Sequence, residues 1–402
     1  MSTRRIRTPA LAAGLLAVLA LAACGGGGAA DAGAGHTPSP GQAPHGYVEG
    51  AEETAEPQPR LVVADGGTGQ VRVLDLGTGE TTDVGRVPGA DRAVTDGRFA
   101  YLSAGRTVHV IDGGTWTVDH GDHQHYYRTG PAATGTAEAA TVTGAHSDST
   151  VTALTTADGN TVLLDRARLE DGSVARRVTL PGGTAVPLAE RLVVSTEDGA
   201  VELRDRAGRR LSALAETCAD AEGTAITRRG AVFGCADGAL LVSEDDGRFT
   251  AEKIRYPRRS SADRARAFSH RPGSTTLAAP AGRGGVWALD VRAKTWRLFD
   301  TGPVAAVSAV GAGGPVLVLG RDGVLRALDS ETGVETARTR VLSEPVPADG
   351  NPAPVIQADT SRAYVNDAAA RTIREIDYAD DLRVARTFRL DSAPTHLLET
   401  GR

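Results

Sequence analysis

Lysine, aromatic residues and long runs of one charge sign are scarce in this chain of 402 residues. Only Lys253 and Lys294 are lysines and the net charge is −6, so we expect no basic groove for nucleic acid. Aromatic side chains make up 4% of the sequence, too few to favour a surface on which sugar rings stack. Neither a G-x-S-x-G elbow nor an H-E-x-x-H motif occurs, so the sequence favours a protein that is not an enzyme.

The first residues have the pattern of an export signal. Three arginines precede a thin apolar run over residues 10–22, which is too short to span a bilayer permanently. The run ends in Leu-Ala-Ala-Cys, which resembles a bacterial lipoprotein signal, so residues 1–23 are predicted to be removed and Cys24 to carry lipid. A buried helix with a free cysteine is disfavoured because four glycines follow at once. We expect an extracytoplasmic protein, attached to the outer face of the cell membrane by its lipid anchor only.

Residues 24–59 are rich in Gly, Ala, Pro and Glu and contain few large apolar side chains. Such a composition cannot form a core, so we expect a flexible tether that precedes a folded domain over residues 60–402. The domain contains Cys218 and Cys235, and an exported pair separated by sixteen residues favours a disulfide over free thiols. A metal site with C-x-x-C spacing is excluded, and closing this loop would contribute about 3 kcal/mol.

A hairpin pattern recurs eight times in the domain. A short apolar run leads into a turn with Gly or Asp and then into an alternating strand that ends in aspartate, as in LVVADGGTGQVRVLD at residues 61–75. These aspartates are Asp75, Asp112, Asp165, Asp205, Asp245, Asp290, Asp329 and Asp377, at intervals of 37, 53, 40, 40, 45, 39 and 48 residues. This period predicts an all-β protein with a single β-propeller of eight blades, or seven as the alternative, rather than a sandwich or solenoid. Residues 393–398 are expected to complete the first blade and close the ring.

Histidines and carboxylates are concentrated in residues 116–128, which read WTVDHGDHQHYYR. Imidazole and carboxylate are good zinc ligands, and the HxxHxH spacing allows several rings to converge on one ion. We therefore predict a Zn²⁺ site formed by His120, Asp122, His123 and His125. Asp119 and His146 are candidate additional ligands, and a solvated polar loop without metal is the alternative. We expect this loop to cross from blade two to blade three on a rim that faces the central channel.

Three segments of the sequence resemble the AztD-type zinc metallochaperones. They are VDHGDHQHYYR, FGCADG at residues 233–238, and HGYVEGAEETAEPQPRLVVAD at residues 45–65. The resemblance implies an exported propeller that binds zinc at His120, His123 and His125 and delivers it to the solute-binding protein of an ABC zinc importer. It also supports the pairing of the two cysteines. We expect a monomer; the alternative function is a cell-surface lipoprotein that serves as a protein-interaction scaffold without metal transfer.

The chain departs from this family at two places. Family members often carry histidine shortly after the first cysteine of the pair, where this chain has Glu222. They also tend to carry histidines before a strand that corresponds to residues 183–188, where this chain has Gly182 and Gly183. We therefore do not expect the complete ligand set of a channel site in this chain.

Overall fold

β-Strands form most of the regular structure in this computed structural model, which describes residues 50–119, 123–258, 260, 262–348 and 352–401. The described residues fall in one unit, His45–Arg402. The predicted signal over residues 1–23 and the lipid-anchored Cys24 lie outside the described residues. No helix within the described ranges is both long enough and apolar enough to cross a membrane.

The strands are numbered in chain order. The first seventeen are β1 (Glu52–Thr54), β2 (Arg60–Ala64), β3 (Gln70–Asp75), β4 (Thr81–Arg86), β5 (Arg92–Thr95), β6 (Phe99–Ala104), β7 (Thr107–Asp112), β8 (Thr115–Asp119), β9 (Gln124–Arg128), β10 (Ala132–Glu138), β11 (Val142–Ser147), β12 (Val151–Thr156), β13 (Thr161–Asp165), β14 (Arg176–Leu180), β15 (Gly183–Leu188), β16 (Arg191–Thr196) and β17 (Ala200–Arg204). The others are β18 (Arg210–Thr217), β19 (Thr224–Thr227), β20 (Gly230–Cys235), β21 (Gly238–Asp245), β22 (Arg248–Arg255), β23 (Thr276–Pro280), β24 (Val286–Asp290), β25 (Thr295–Phe299), β26 (Val304–Ala309), β27 (Val316–Gly320), β28 (Val324–Leu328), β29 (Glu335–Arg340), β30 (Ile356–Ala358), β31 (Arg362–Asp367), β32 (Thr372–Asp377), β33 (Arg383–Arg389) and β34 (His396–Thr400). A short helix, α1 (Arg166–Glu170), follows β13, and a 3-10 turn lies at Gly282–Gly284.

The described strands form nine antiparallel sheets, of which eight follow one another around a propeller. From the inside outward, these blades are β34-β2-β3-β4, β5-β6-β7-β10, β11-β12-β13-β14, β15-β16-β17-β18, β19-β20-β21-β22, β23-β24-β25, β26-β27-β28-β29 and β30-β31-β32-β33. In blade six, an isolated bridge between Ser269 and Ala278 occupies the inner position. The prediction of an all-β propeller is confirmed.

The last strand closes the ring as predicted. Strand β34 pairs with β2 in a register that sets Val62 opposite Leu398. It also contacts β5 of blade two and β30 of blade eight, so the C-terminal strand joins the two ends of the domain. Blade one therefore combines the last strand of the chain with the first strands of the domain, and this pairing closes the ring.

The recurring aspartates lie at the end of the second hairpin strand, and most of their side chains hold the next turn; in blade five Glu244 does so in place of Asp245. Asp75 Oδ1 accepts hydrogen bonds from the backbone N–H groups of Gly77 and Thr78, both at 3.0 Å. Asp329 Oδ1 does the same with Glu331 at 3.1 Å and Thr332 at 2.7 Å. An aspartate that satisfies two turn donors explains why this residue type repeats at the blade period.

The predicted disulfide is present between Cys218 and Cys235, which are both fully buried. Cys218 directly follows β18 of blade four, and Cys235 ends β20 of blade five. The bond therefore joins two consecutive blades.

Candidate metal centre

The histidine-rich segment forms a hairpin that is inserted into blade two. Strands β8 and β9 pair with each other in a register that sets Trp116 opposite Tyr127 and Val118 opposite His125. The chain then returns as β10, the outer strand of blade two, which pairs with β7. Our expectation that this segment crosses to blade three was wrong. The residues on both sides of the loop form a second hairpin, and the chain completes blade two only after it. We call β8, β9 and the residues between them the histidine hairpin.

Arg60 holds the base of the histidine hairpin. Its Nη1 donates to the carbonyl oxygens of Gly113 at 3.1 Å, Gly114 at 3.2 Å and Thr129 at 2.8 Å. Gly114 has a φ of +72°, and a Cβ atom there would lie 2.7 Å from both Arg60 Nη1 and the Thr129 oxygen. Glycine is therefore required where the chain leaves blade two.

A stack of planar groups connects the propeller to the tip of the hairpin. The guanidinium carbon of Arg98 lies 3.7 Å from the centroid of the Trp116 ring, and Arg98 also pairs with Asp112 at 2.9 Å. Trp116 stacks on Tyr127 with centroids 5.5 Å apart, and Tyr127 stacks on His125 at 6.3 Å. This ladder restricts the orientation of the His125 ring from one side.

His123 and His125 lie next to each other at the tip of the hairpin. Their ring centroids are 4.9 Å apart, with an angle of 79° between the ring planes. Two imidazoles that bind one tetrahedral Zn²⁺ through Zn–N bonds of about 2.0 Å have centroids about 5 Å apart. The described pair therefore fits the spacing of a shared zinc ion, and the donor set of imidazole and carboxylate suits this metal.

The N-terminal segment supplies a carboxylate to this pair. Strand β1 pairs with β9, and Glu53 Oε1 lies 2.7 Å from His125 Nδ1. We expected an unstructured tether up to residue 59, but Glu52–Thr54 instead forms the third strand of the hairpin sheet. Sequence reasoning missed the role of Glu53. The only signal in the sequence was the group of glutamates Glu49, Glu52 and Glu53.

The other predicted ligands lie apart from this pair or outside the described residues. His120 and Asp122 fall on residues that the structure does not describe. Asp119 Oδ2 accepts a hydrogen bond from Gln124 Nε2 at 2.9 Å. Within the described ranges, no group of three or more His, Cys, Asp or Glu side chains is arranged to hold a metal ion.

His146 lies in the central channel, on inner strand β11. The channel contains a cavity of about 700 Å³, whose described lining includes His146 and His270 but neither His123 nor His125. His146 Nε2 is 2.7 Å from Thr224 Oγ1, and His270 Nε2 donates to the Ile226 oxygen at 3.1 Å. Burial, followed by the charge of His270, lowers the pKa of His146 to about 4. His146 therefore lies in the channel and not at the histidine hairpin.

The two places at which the sequence departs from the AztD pattern lie at or near the channel. Glu222 lines the cavity and forms ion pairs with Arg264 Nη2 at 3.1 Å and with Arg266. Gly182 and Gly183 lie at the start of β15, where a Cβ on Gly183 would come within 3.0 Å of Val194. The Glu222 carboxylate is thus held by two arginines.

Two solved structures of AztD from Citrobacter koseri are similar to this structure. One has a TM-score of 0.70 and 19% sequence identity, over 86% of this chain and 99% of that one. The other, of apo AztD, has a TM-score of 0.71 and 18% identity, over 86% and 98%. The fold of this chain is the AztD fold. At this identity the likeness to AztD shows the fold alone. No family model matches the sequence, and no curated protein matches it.

Proposed function

We propose that this protein is an extracytoplasmic zinc-binding metallochaperone that holds zinc at the histidine hairpin and transfers it to the solute-binding protein of an ABC zinc importer. The observation that carries the proposal is the 4.9 Å separation of the His123 and His125 rings at the hairpin tip. The resemblance of the hairpin sequence and the likeness of the fold to AztD support it independently. His120 and Asp122 complete the proposed ligand set.

The position of the pair suits a carrier better than a permanent structural site. His123, Gln124 and Asp119 are exposed, and the pair is contributed by one hairpin rather than by several blades. A partner's ligands can therefore approach the ion before the hairpin ligands have all left. Ligand exchange of this kind avoids release of free zinc and requires neutral imidazoles, so acid opposes loading.

The remaining parts of the proposal concern location and partner. We propose that Cys24 carries the lipid that attaches the protein to the outer face of the cell membrane. The chain then acts as a monomer that receives zinc and meets the solute-binding protein at the membrane surface. No catalytic role is proposed, and the channel histidines are not assigned to the transfer site.

The first test measures zinc stoichiometry and competition affinity of the mature protein and of the His123→Ala/His125→Ala double variant. Loss of two ligands should weaken zinc binding by more than about 100-fold. Removal of a residue that only hydrogen-bonds to a ligand already weakens metal affinity by about 10–100-fold. His109→Ala is the matched control, since His109 lies on β7 of the same blade, away from the hairpin tip. Unchanged affinity in the double variant would remove the hairpin from the proposal.

Transfer is tested by mixing the zinc-loaded protein with the solute-binding protein in the presence of a fluorescent chelator. Direct ligand exchange predicts that the solute-binding protein gains zinc faster than the chelator does, and that the double variant loses this advantage. The opposite result would be that the two proteins bind each other as well without zinc as with it, and that zinc reaches the partner only after release to the chelator. That result would favour the scaffold function over zinc transfer.

A further inference from the structure

Strand β1 is the only described part of the N-terminal segment before residue 55 that pairs with the hairpin. It has three residues, and its backbone register sets Glu52 opposite Arg128, Glu53 opposite Tyr127 and Thr54 opposite Tyr126. Side chains strengthen this short pairing. Glu52 Oε2 accepts from Arg128 at 2.9–3.0 Å, and Thr54 Oγ1 donates to the Tyr126 oxygen at 3.3 Å.

Glu53 makes the contact that reaches the metal-binding pair. Its carboxylate lies 2.7 Å from His125 Nδ1, and the two side chains are only 48% and 29% exposed. An ionised carboxylate can only accept a hydrogen bond, so Nδ1 of His125 must carry the proton. In the neutral ring this leaves the lone pair on Nε2, which is the form that binds a metal.

We infer that Glu53 is a positioning residue of the metal centre: it sets the tautomer of His125 and couples zinc binding to the docking of strand β1. The inference rests on the proposed function, because it assigns a role at the same site. The stack with Tyr127 restrains the His125 ring from one side, and Glu53 fixes it through Nδ1. A carboxylate on the second nitrogen is the usual partner of a metal-binding histidine.

The coupling follows from the chemistry of this contact. When Nε2 donates its lone pair to a cation, the Nδ1–H group becomes a stronger donor, so its hydrogen bond to the Glu53 carboxylate strengthens. Strand β1 is then held more tightly in the loaded protein than in the free protein. By reciprocity, a docked β1 strengthens zinc binding, and anything that removes β1 weakens it by the same factor.

The affinity test compares Glu53→Ala, Glu53→Gln and the matched control Glu52→Ala. Glu52 lies on the same strand and makes an ion pair of its own, but its partner is Arg128 rather than a histidine. Glu53→Ala should raise the zinc Kd by about 10–100-fold, whereas Glu52→Ala should raise it by less than about fivefold. Glu53→Gln retains an acceptor oxygen and should restore part of the loss. Equal losses in Glu52→Ala and Glu53→Ala would overturn the inference, since they would reflect strand docking alone.

A second measurement does not depend on zinc. Long-range ¹H–¹⁵N spectra of the metal-free protein should show His125 as the Nδ1–H tautomer in the wild type and as a mixture in Glu53→Ala. Hydrogen exchange at residues 52–54 should slow when zinc is added to the wild type and should not change in Glu53→Ala. A wild-type His125 that carries its proton on Nε2 would contradict the inference. Wild-type protein that shows the expected tautomer but binds no zinc would instead sink the proposed function, and with it the coupling.

Discussion

The protein has two pairs of neighbouring histidines, one at the exposed tip of the histidine hairpin and one inside the central channel. His123 and His125 lie at an exposed tip, and the partner of His125 is a carboxylate. His146 and His270 line a cavity inside the ring, and their partners are a hydroxyl and a backbone carbonyl. A carboxylate prepares an imidazole to bind a cation, whereas burial beside a second imidazole keeps it neutral and opposes any added charge.

The supports of the two regions differ as well. The hairpin is held by Arg60 at its base, by the Arg98 stack and by a three-residue strand. The channel wall consists of inner strands, most of which contact a neighbouring blade, as β5 does with β11 and β34. The comparison therefore predicts that substitutions beside the channel affect the stability of the whole domain, whereas substitutions in the hairpin affect local order and metal binding.

The largest expected effect is at Asp96, which follows inner strand β5. Its fully buried carboxylate accepts from Arg166 Nη1 at 2.6 Å and from Tyr101 at 2.9 Å. Burial would raise the pKa of Asp96, but the charge of Arg166 and the backbone donors outweigh it and lower the pKa. Asp96→Ala leaves Arg166 without its closest partner and should reduce the free energy of unfolding by about 3–5 kcal/mol.

Urea denaturation measures this loss. The matched control is Asp391→Ala, because Asp391 pairs with Arg72 on the surface and is 76% exposed. Exposed pairs contribute about 1 kcal/mol or less, so the control should change little. Similar losses in both variants would show that the channel side of the ring is no more tightly ordered than its exterior.

The next largest effect is the pH dependence that His146 introduces. Its pKa is lowered to about 4, so between that pH and its unfolded value of about 6.5 the unfolded chain binds the extra proton. The stability due to the neutral ring is complete above about pH 6.5 and declines as the pH falls towards 4, by up to about 3 kcal/mol. Of the neighbouring charged groups, His270 lowers this pKa and Asp96 opposes the shift.

His146→Gln should flatten the stability profile between pH 4 and 6.5, as measured by urea denaturation at several pH values. Thr143→Ala is the control, because Thr143 lies on the same strand and lines the same cavity but does not titrate. A His146→Gln profile as steep as that of the wild type would mean that other groups cause the acid sensitivity. It would also mean that burial in the channel does not hold the His146 ring in its neutral form.

The repeat could be predicted from the sequence because its determinants are local. Alternation within each hairpin and an aspartate at the end of its second strand recur at every blade, so their spacing predicts the period without any knowledge of packing. The interval of 53 residues between Asp112 and Asp165 is the longest of the seven, and it contains the inserted hairpin. That length was a signal for an extra hairpin within the blade.

Contacts between distant segments could not be predicted in this way. Glu53 and His125 are 72 residues apart, and a strand of three residues has no periodicity that would reveal its partner. The meeting of His146 and His270 in one cavity likewise depends on the closure of the ring, since they lie on blade three and beside blade six. Only the density of histidines, which is a local property, identified the hairpin.

The smallest expected effect concerns Trp116, which joins the hairpin to the ring. Trp116→Leu removes the cation–π contact with Arg98 and the stack on Tyr127, which together should lower the free energy of unfolding by about 1 kcal/mol. Hydrogen exchange should accelerate in β8 and β9 while blade-one strands β2 and β3 keep their protection. Trp116→Phe retains a ring and should preserve most of the protection. Faster exchange throughout the ring would show that the hairpin is part of the propeller's cooperative unit, and the contrast between the two regions would then hold for their chemistry but not for their stability.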